Sequence, residues 1–460
     1  MPTFVRTSVM PAPADRLAAW HFRSGALQRL VPPWERVSVE SAVGGIADGS
    51  TVTLRLRKGP LQFRWLARHE RVEPGRSFTD RQVSGPFASW VHEHRFMPHE
   101  GDRSTLEDHV TWRLPGGVLG QAVAGGAIGR DLKRTFAWRH RRTSNDLRRH
   151  QELSAGDPLR LAVSGAGGLV GSQLCAFLST GGHQVRRIVR GAPNRERLDI
   201  AWDTRTGTVD HEFLDGVDAV VHLAGENIAG GRWSAARKRA IRQSRVEGTR
   251  QVSEALAALP RPPKVLVSAS AIGFYGSRGP EPLDESSEAG RGFLPETCQA
   301  WEAATAPAQA AGIRVVHLRI GLVLTAAGGV LGKLRTPFSL GLGGPVGNGR
   351  QGMSWISLDD LLASVLHCIR DDSLQGAVNA VAPDPRSNAD FGRALGRTLR
   401  RPAFMPLPAP AVSALFGEMG RELLLRGAFV QPRRLLERGF RFDHPRLEQA
   451  LAFELGRVED

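Results

Sequence analysis

Residues 159–191, LRLAVSGAGGLVGSQLCAFLSTGGHQVRRIVRG, constrain the fold of this chain more than any other stretch. RLAVS reads as a buried strand. Gly165, Gly168 and Gly171 follow it in a GxxGxxG pattern. LVGSQLCAFLST then reads as a helix that stops at Gly181-Gly182, and HQVRRIVR reads as a second strand. Strand, glycine turn, helix and strand within about 30 residues make a βαβ unit, the building block of a doubly wound parallel sheet.

The three glycines have separate tasks in such a unit. Gly165 permits the tight turn out of the strand, Gly168 lets the backbone approach a pyrophosphate, and Gly171 permits close helix–strand packing. The helix start presents free N–H groups and the positive end of its dipole. The pattern points to a dinucleotide, with Gly165, Gly167, Gly168, Leu169, Val170 and Gly171 as its cradle. The second strand ends in Arg190. A carboxylate there would hold the ribose 2′-OH of NAD, whereas an arginine accommodates the 2′-phosphate of NADP. NADP is the expected form. LDIAWD (198–203) reads as the third strand, with Asp203 at the adenine edge. VDAVVHLAGENIAGGRW reads as the fourth strand and its loop, with Leu223, Ala224 and Gly225 beside the cofactor. PKVLVSASAIGFYG reads as the fifth.

The 460 residues suffice for two or three domains. Residues 1–143 differ in texture from the rest. TVTLRLRKG puts Val52, Leu54 and Leu56 on one strand face, LQFRWLARHERV and DHVTWRLPGG read similarly, and LGQAVAGGAIGRDLKRTFAWRHRR reads as a long helix. Residues 144–158 are polar, end in Gly-Asp-Pro and read as a linker. Residues 159–400 carry the α/β pattern, and 401–460 open on a Pro-rich hinge and continue as a helical tail. The net charge of +15 comes almost wholly from arginine in an Ala-, Gly- and Pro-rich background, so no nucleic-acid partner is expected. The densest basic run, 130–150, reads as a solvated helix face. No apolar stretch is long enough to span a membrane. Cys175, Cys298 and Cys368 are far apart and suit a reducing, cytoplasmic setting. His92 and His94 share a strand face, with His99 and His109 near in sequence. No carboxylate or cysteine completes a familiar metal spacing, so no metal is expected.

Two resemblances follow from longer motifs. WHFRSGALQRLVPPWERV, SFTDRQVSGPFASWVHEHRF and TLEDHVTWRLP resemble the START-like, polyketide-cyclase-like superfamily. That resemblance implies a helix-grip fold, a curved sheet around a C-terminal helix, often with an apolar cavity for a hydrophobic ligand. GxxGxxG, HLAG and SAS…YG, in that order, resemble the extended short-chain dehydrogenase/reductase superfamily. GENIAGGRWSAARKRAIRQSRVEGT, LRIGLVLTAAGGVLGKL, PFSLGLGGPVGNGRQGMSWISLDDL and the tail GEMGRELLLRGAFVQPRRLLERGFRFDHPRLEQAL resemble its YfcH-like epimerase branch. That branch is often labelled nucleoside-diphosphate-sugar epimerase.

The superfamily moves protons with a tyrosine, a lysine four residues on, and a serine that orients the substrate. Ser270 matches that serine, with Ser268 close by. The tyrosine and lysine should fall within GRGFLPETCQAWEAAT, 290–305, which contains neither. Glu296 or Thr297 stands near the lysine position. Tyr275, the only tyrosine, matches the YG of the fifth-strand loop, whose usual role is structural. Ser270, Glu296 and Glu226 are the candidate catalytic residues. Arg319 is expected to meet either a substrate anion or an internal ion pair, and Trp233 to line the site. Ser357 stands where the branch often has histidine, and Asp359 and Asp360 are expected to cap a helix. The chain reads as an NADP-dependent oxidoreductase or epimerase acting on a small sugar-nucleotide or apolar carbonyl substrate. The alternative is a non-catalytic NADP(H) sensor or scaffold whose N-terminal domain holds a hydrophobic ligand.

Overall fold

The computed structural model describes residues 1–153 and 157–458. They fall into two compact units. The first comprises Met1–Asp157, Ala176–Gly182 and Ala452–Asp460; the second comprises Pro158–Cys175 and His183–Leu451. Among the described residues no helix is long and apolar enough to cross a membrane.

The first unit opens with β1 (Thr3–Met10), α1 (Ala14–Phe22) and α2 (Ala26–Leu30). Six strands follow: β2 (Arg36–Val43), β3 (Thr51–Lys58), β4 (Leu61–Glu73), β5 (Ser77–Ser84), β6 (Ser89–His99) and β7 (Arg103–Arg113). The long helix α3 (Gly117–Leu153) follows the strands. The seven strands form one antiparallel sheet in the order β1-β7-β6-β5-β4-β3-β2. This is the helix-grip arrangement. Alternation is strict on β7, where Ser104, Leu106, Asp108, Val110 and Trp112 are buried and the residues between them are not. Trp20, Phe78, Phe96 and Leu106 form one core cluster with Leu147 of α3; Val110 and Trp112 form another with Phe136.

The long helix departs from two expectations. The segment expected as a linker, 144–158, is helical through Leu153, and 154–156 lie outside the described residues. The basic run 130–150 is not a solvated face: Phe136, Trp138, His140, Arg142, Asp146 and Arg149 are buried. The reason is pairing. The buried Arg29 guanidinium grips Asp146 through Nε at 2.9 Å and Nη2 at 2.7 Å, so polar side chains enter the interior with their charges matched.

The inner face of the sheet is not uniformly apolar. His69, His92, His94 and Asp108 are buried there, with half-buried Asp80 beside them and the buried His140 of α3 facing Asp108. Burial pushes the His92 imidazole down to about 4, helped by the neighbouring His94 charge. Burial acts on His94 in the same sense, but Asp108 and Asp80 outweigh it and raise that ring to about 9. The carboxylates that sequence spacing failed to supply come from adjacent strands, Asp80 on β5 and Asp108 on β7.

The second unit begins with β8 (Arg160–Ser164), α4 (Leu169–Thr180), β9 (Gln184–Val189), β10 (Ile200–Asp203), β11 (Thr208–Val209) and β12 (Ala219–His222). It continues through α5 (Ala235–Ala257), β13 (Val265–Ala271), β14 (Pro282–Leu283), α6 (Phe293–Ala303), α7 (Ala306–Ala310) and β15 (Arg314–Ile320). Then come β16 (Leu322–Thr325), α8 (Gly329–Ser339), β17 (Gly352–Met353), β18 (Trp355–Ser357), α9 (Leu358–Arg370) and β19 (Gly376–Ala380). The chain ends through β20 (Arg386–Ser387), α10 (Asn388–Leu399), α11 (Ala409–Leu424), β21 (Phe429–Val430) and α12 (Arg433–Glu437), followed by a last short helix. The main sheet has the order β11-β10-β9-β8-β12-β13-β15-β19 and is parallel except for the edge strand β11. The strand order reverses between β8 and β12. In a doubly wound sheet that reversal opens the crevice at the carboxyl ends where ligands bind.

Candidate functional site

The glycine turn sits at that reversal. Gly165 has φ +68°, and a Cβ there would lie 2.9 Å from the Leu223 carbonyl carbon. A Cβ on Gly171 would lie 2.2 Å from the Gly165 carbonyl oxygen. The first glycine is therefore demanded by conformation and by the fourth-strand loop, the last by the turn itself. Gly167, Gly168 and Leu169 are exposed, and a Cβ on Gly167 would meet nothing within 4 Å. Val170 is half-buried. The turn thus shows bare backbone at the start of α4, where the amide groups have no partner within the helix.

Ser164 and His222 anchor this turn from beneath. They face each other in the register of β8 and β12, both fully buried. The Ser164 hydroxyl donates to His222 Nδ1 at 2.7 Å and accepts from the backbone N–H of Leu223 at 3.1 Å and of Ala224 at 3.3 Å. One side chain therefore fixes the loop holding Leu223, Ala224 and Gly225 against the glycine turn. Burial lowers the His222 imidazole to about 4, so it is neutral near pH 7. A serine ending one strand and a histidine ending another carry no mark of this pairing in the sequence.

Arg190 and Asp203 come together. With Gly191, Ala201, Trp202, Thr204 and Arg205 they line a cleft of about 450 Å³ at the carboxyl ends of β9 and β10. Arg205 adds a second guanidinium, 3.6 Å from the Asp203 carboxylate. Sequence reasoning missed it among many arginines.

Ser270 and Arg319 are opposite one another on β13 and β15 and are joined by Glu302 of α6, which sequence reasoning did not single out. The Ser270 hydroxyl donates to Glu302 Oε1 at 2.7 Å. Arg319 donates to the same carboxylate through Nε at 2.8 Å and Nη2 at 2.9 Å, and through Nη1 to the Tyr275 hydroxyl at 3.0 Å. Tyr275 passes its proton to Asn379 Oδ1 at 2.7 Å. The guanidinium lies 3.4 Å from the centre of the Phe274 ring. Burial works against the Arg319 charge, but Glu302 outweighs it, and its pKa is raised. The structure contains the internal ion pair that was one of the two expectations for Arg319. Ser268 is buried one register step deeper and makes no hydrogen bond through its hydroxyl.

The other candidates lie apart from this network. Glu226 accepts from Arg237 Nη1 at 2.8 Å and is held by Ser244 Oγ–backbone contact at 3.1 Å. Glu296 is exposed in the first turn of α6, with no ion pair among the described residues. Thr297 is buried and donates to the Phe293 carbonyl at 2.6 Å. Trp233 is buried and stands edge-on to Phe293, with ring centres 5.2 Å apart. Both line a second cleft, of about 460 Å³, with Ser234, Lys238, Arg239, Arg242 and Glu418. The three cations come from the first turns of α5.

Ser357 is the N-cap of α9: its hydroxyl accepts from the Asp360 N–H at 3.0 Å and donates to Asp360 Oδ2 at 2.8 Å. Asp360 also accepts from the backbone N–H groups of Asp443 and His444. These residues tie the C-terminal segment to the sheet.

Three family models match the chain: the NAD dependent epimerase/dehydratase family over 161–380, a domain of unknown function over 407–454, and polyketide cyclase/dehydrase and lipid transport over 10–141. An epimerase family protein of Mycobacterium tuberculosis is 45% identical over 298 residues, which is 65% of this chain and 98% of that protein. Human epimerase family protein SDR39U1 is 36% identical over 297 residues, 64% of this chain and 98% of its own. A crystal structure described as the nucleoside-diphosphate sugar epimerase of Corynebacterium glutamicum superposes with a TM-score of 0.82 at 34% identity, covering 99% of this chain and 90% of that one. The crystal structure of the human protein with NADPH superposes with a TM-score of 0.58 at 34% identity, covering 64% and 98%. With relatives matched across nearly their whole length, the chain belongs to this epimerase family.

Proposed function

We propose that the chain is an NADP(H)-dependent oxidoreductase or epimerase acting on a small substrate. The observation that carries the reading is the cleft lined by Arg190, Asp203 and Arg205 at the carboxyl ends of β9 and β10. Two guanidinium groups suit a 2′-phosphate, and Asp203 suits the adenine edge. The cradle fits a dinucleotide: Gly165 and Gly171 have no room for a Cβ, and Gly167 and Gly168 expose bare backbone. The human relative's NADPH complex lends further support. Bound NADP(H) would supply hydride transfer.

The chain's own residues would bind and orient. Leu223, Ala224 and Gly225, pinned by Ser164, would flank the cofactor. Trp233 and Phe293 give the second cleft aromatic walls, and Arg239 and Arg242 give it positive charge beyond the Lys238–Glu418 pair. That chemistry favours a ring-bearing anionic substrate, such as a sugar nucleotide, over an apolar carbonyl compound. Glu226 or Glu296 would exchange the proton, with Ser270 positioned by Glu302.

Calorimetric titration of the full chain with NADPH and NADH tests the cofactor claim. NADPH should bind at least about tenfold tighter, since one charge-assisted contact contributes ~1.5 kcal/mol or more. Arg190→Ala should remove most of that preference. Equal affinity for the two cofactors in the parent chain overturns the reading. Turnover assays with sugar nucleotides then separate an enzyme from a protein that only holds the cofactor.

A further inference from the structure

The buried histidine–aspartate cluster of the first unit is used by nothing described above. We propose that Asp80, His92 and His94 bind one divalent transition-metal ion, with Asp108 and His69 holding the ligands in place.

Backbone register sets the arrangement. Asp80 of β5 faces His92 of β6 directly, and His94 lies two residues along the same strand face. Asp108 of β7 faces His94 from the other side, and His69 of β4 faces Asp80. Five side chains from four neighbouring strands therefore converge on the inner face of a continuous sheet. Ligand atoms from Asp80, His92 and His94 all lie within 4.8 Å of one another, the span of donors sharing one ion.

The surrounding contacts have the pattern of a supported metal site. Asp108 Oδ1 lies 2.8 Å from His92 Nε2 and 2.7 Å from His94 Nδ1. One carboxylate thereby engages one nitrogen of each ring. In the proposed site the opposite nitrogens, His92 Nδ1 and His94 Nε2, would be the ligands, with His94 Nε2 exchanging its 3.4 Å contact with Asp80 Oδ2 for the ion. Metal-bound histidines commonly have the other ring nitrogen held by a carboxylate in this way. The second oxygen of Asp108 is occupied by His140 Nε2 at 2.6 Å, and His140 is held in turn by Ser8 Oγ at 2.8 Å. On the other flank His69 Nδ1 lies 2.5 Å from Asp80 Oδ1, which leaves Oδ2, 3.4 Å from His94 Nε2.

A cluster of this kind, buried behind Phe78, Phe96 and Phe136, is costly unless something repays the desolvation. A divalent ion would add to the compensation that the pairs with Asp80 and Asp108 already give. Two imidazoles and one carboxylate suit zinc or ferrous iron and leave at least one position for water or an oxygen-donor ligand.

The test uses the full chain, stripped with a chelator and then titrated with zinc or cobalt(II). One ion per chain is expected, with a higher melting temperature on zinc addition. Cobalt should give hyperfine-shifted ring N–H resonances from two histidines. His92→Gln and His94→Gln should lose stoichiometric binding. Asp108→Asn should retain one ion per chain with affinity weakened roughly 10–100-fold. If either histidine variant fails to fold, the cobalt resonances of the parent chain still decide the point. Retention of no ion, or cobalt binding without two-histidine resonances, overturns the proposal and leaves a cluster that shares protons only. Parent-like binding by both histidine variants overturns it equally, since the ion would then sit elsewhere.

Discussion

Replacing Glu302 by alanine tests whether the charge network at the ends of β13 and β15 is closed. The substitution leaves the Arg319 guanidinium without its carboxylate and the Ser270 hydroxyl without its acceptor. The Arg319 side chain is 6% exposed and that of Glu302 is 12% exposed, so water offers little compensation. Breaking a buried pair by removing one partner costs ~3–5 kcal/mol. The residual exposure of Glu302 places the expected loss near the lower end, about 3 kcal/mol, or roughly a hundredfold in the folding equilibrium. At an m-value of roughly 3 kcal/mol/M the urea midpoint of the second unit should fall by about 1 M. The double variant Glu302→Leu with Arg319→Met removes both charges and should recover most of that loss, because an apolar replacement of a buried pair is close to neutral. Tyr275 keeps its bond to Asn379 in the double variant. A single variant within about 1 kcal/mol of the parent, or a double variant worse than the single, refutes the reasoning.

Three further outcomes follow from the same geometry. Gly171→Ala drives a Cβ to 2.2 Å from the Gly165 carbonyl, so NADPH affinity should drop at least about tenfold in a titration while circular dichroism stays near that of the parent. His222 titrates at about 4 when folded against the usual 6.5. The unfolded chain therefore binds more protons between those values, and stability should fall as pH drops from 6.5 through 4. The loss is on the order of 3 kcal/mol relative to His222→Gln, measured by denaturant unfolding across that window. Ser357→Ala removes the N-cap of α9 in a buried setting and should cost ~1–2 kcal/mol in the same assay.

The sequence was most legible where the information is local. A strand, three spaced glycines and a helix specify the β8–α4 turn within a dozen residues, and alternation over ten residues marks strands such as β7. What stayed hidden depends on partners brought from elsewhere. His92 and His94 could be placed on one face, but Asp80 and Asp108 reach them only through the register of three strands. The polar stretch after 143 looks solvent-facing until Arg29, more than a hundred residues earlier, is seen to neutralise Asp146. Arg205, Arg239 and Arg242 were masked by composition: where arginine is common everywhere, no single arginine stands out.

The fate of α6 links these observations to the chemistry. The superfamily pattern puts a tyrosine and a lysine in the segment that folds as this helix, and here its inward-facing charge is Glu302. The Glu302 oxygens already accept one hydrogen bond from Ser270 and two from Arg319, so few lone pairs remain for a proton from a substrate. Tyr275 is no substitute, because its hydroxyl gives its proton to Asn379 and receives one from Arg319. Under the proposed function the strand-end network therefore holds Ser270 in one orientation and does not itself exchange protons. On the proposed function, the exchange moves outward to a carboxylate that water can recharge. Glu296, exposed on the first turn of the same helix, meets that condition more fully than Glu226, which Arg237 holds in an ion pair.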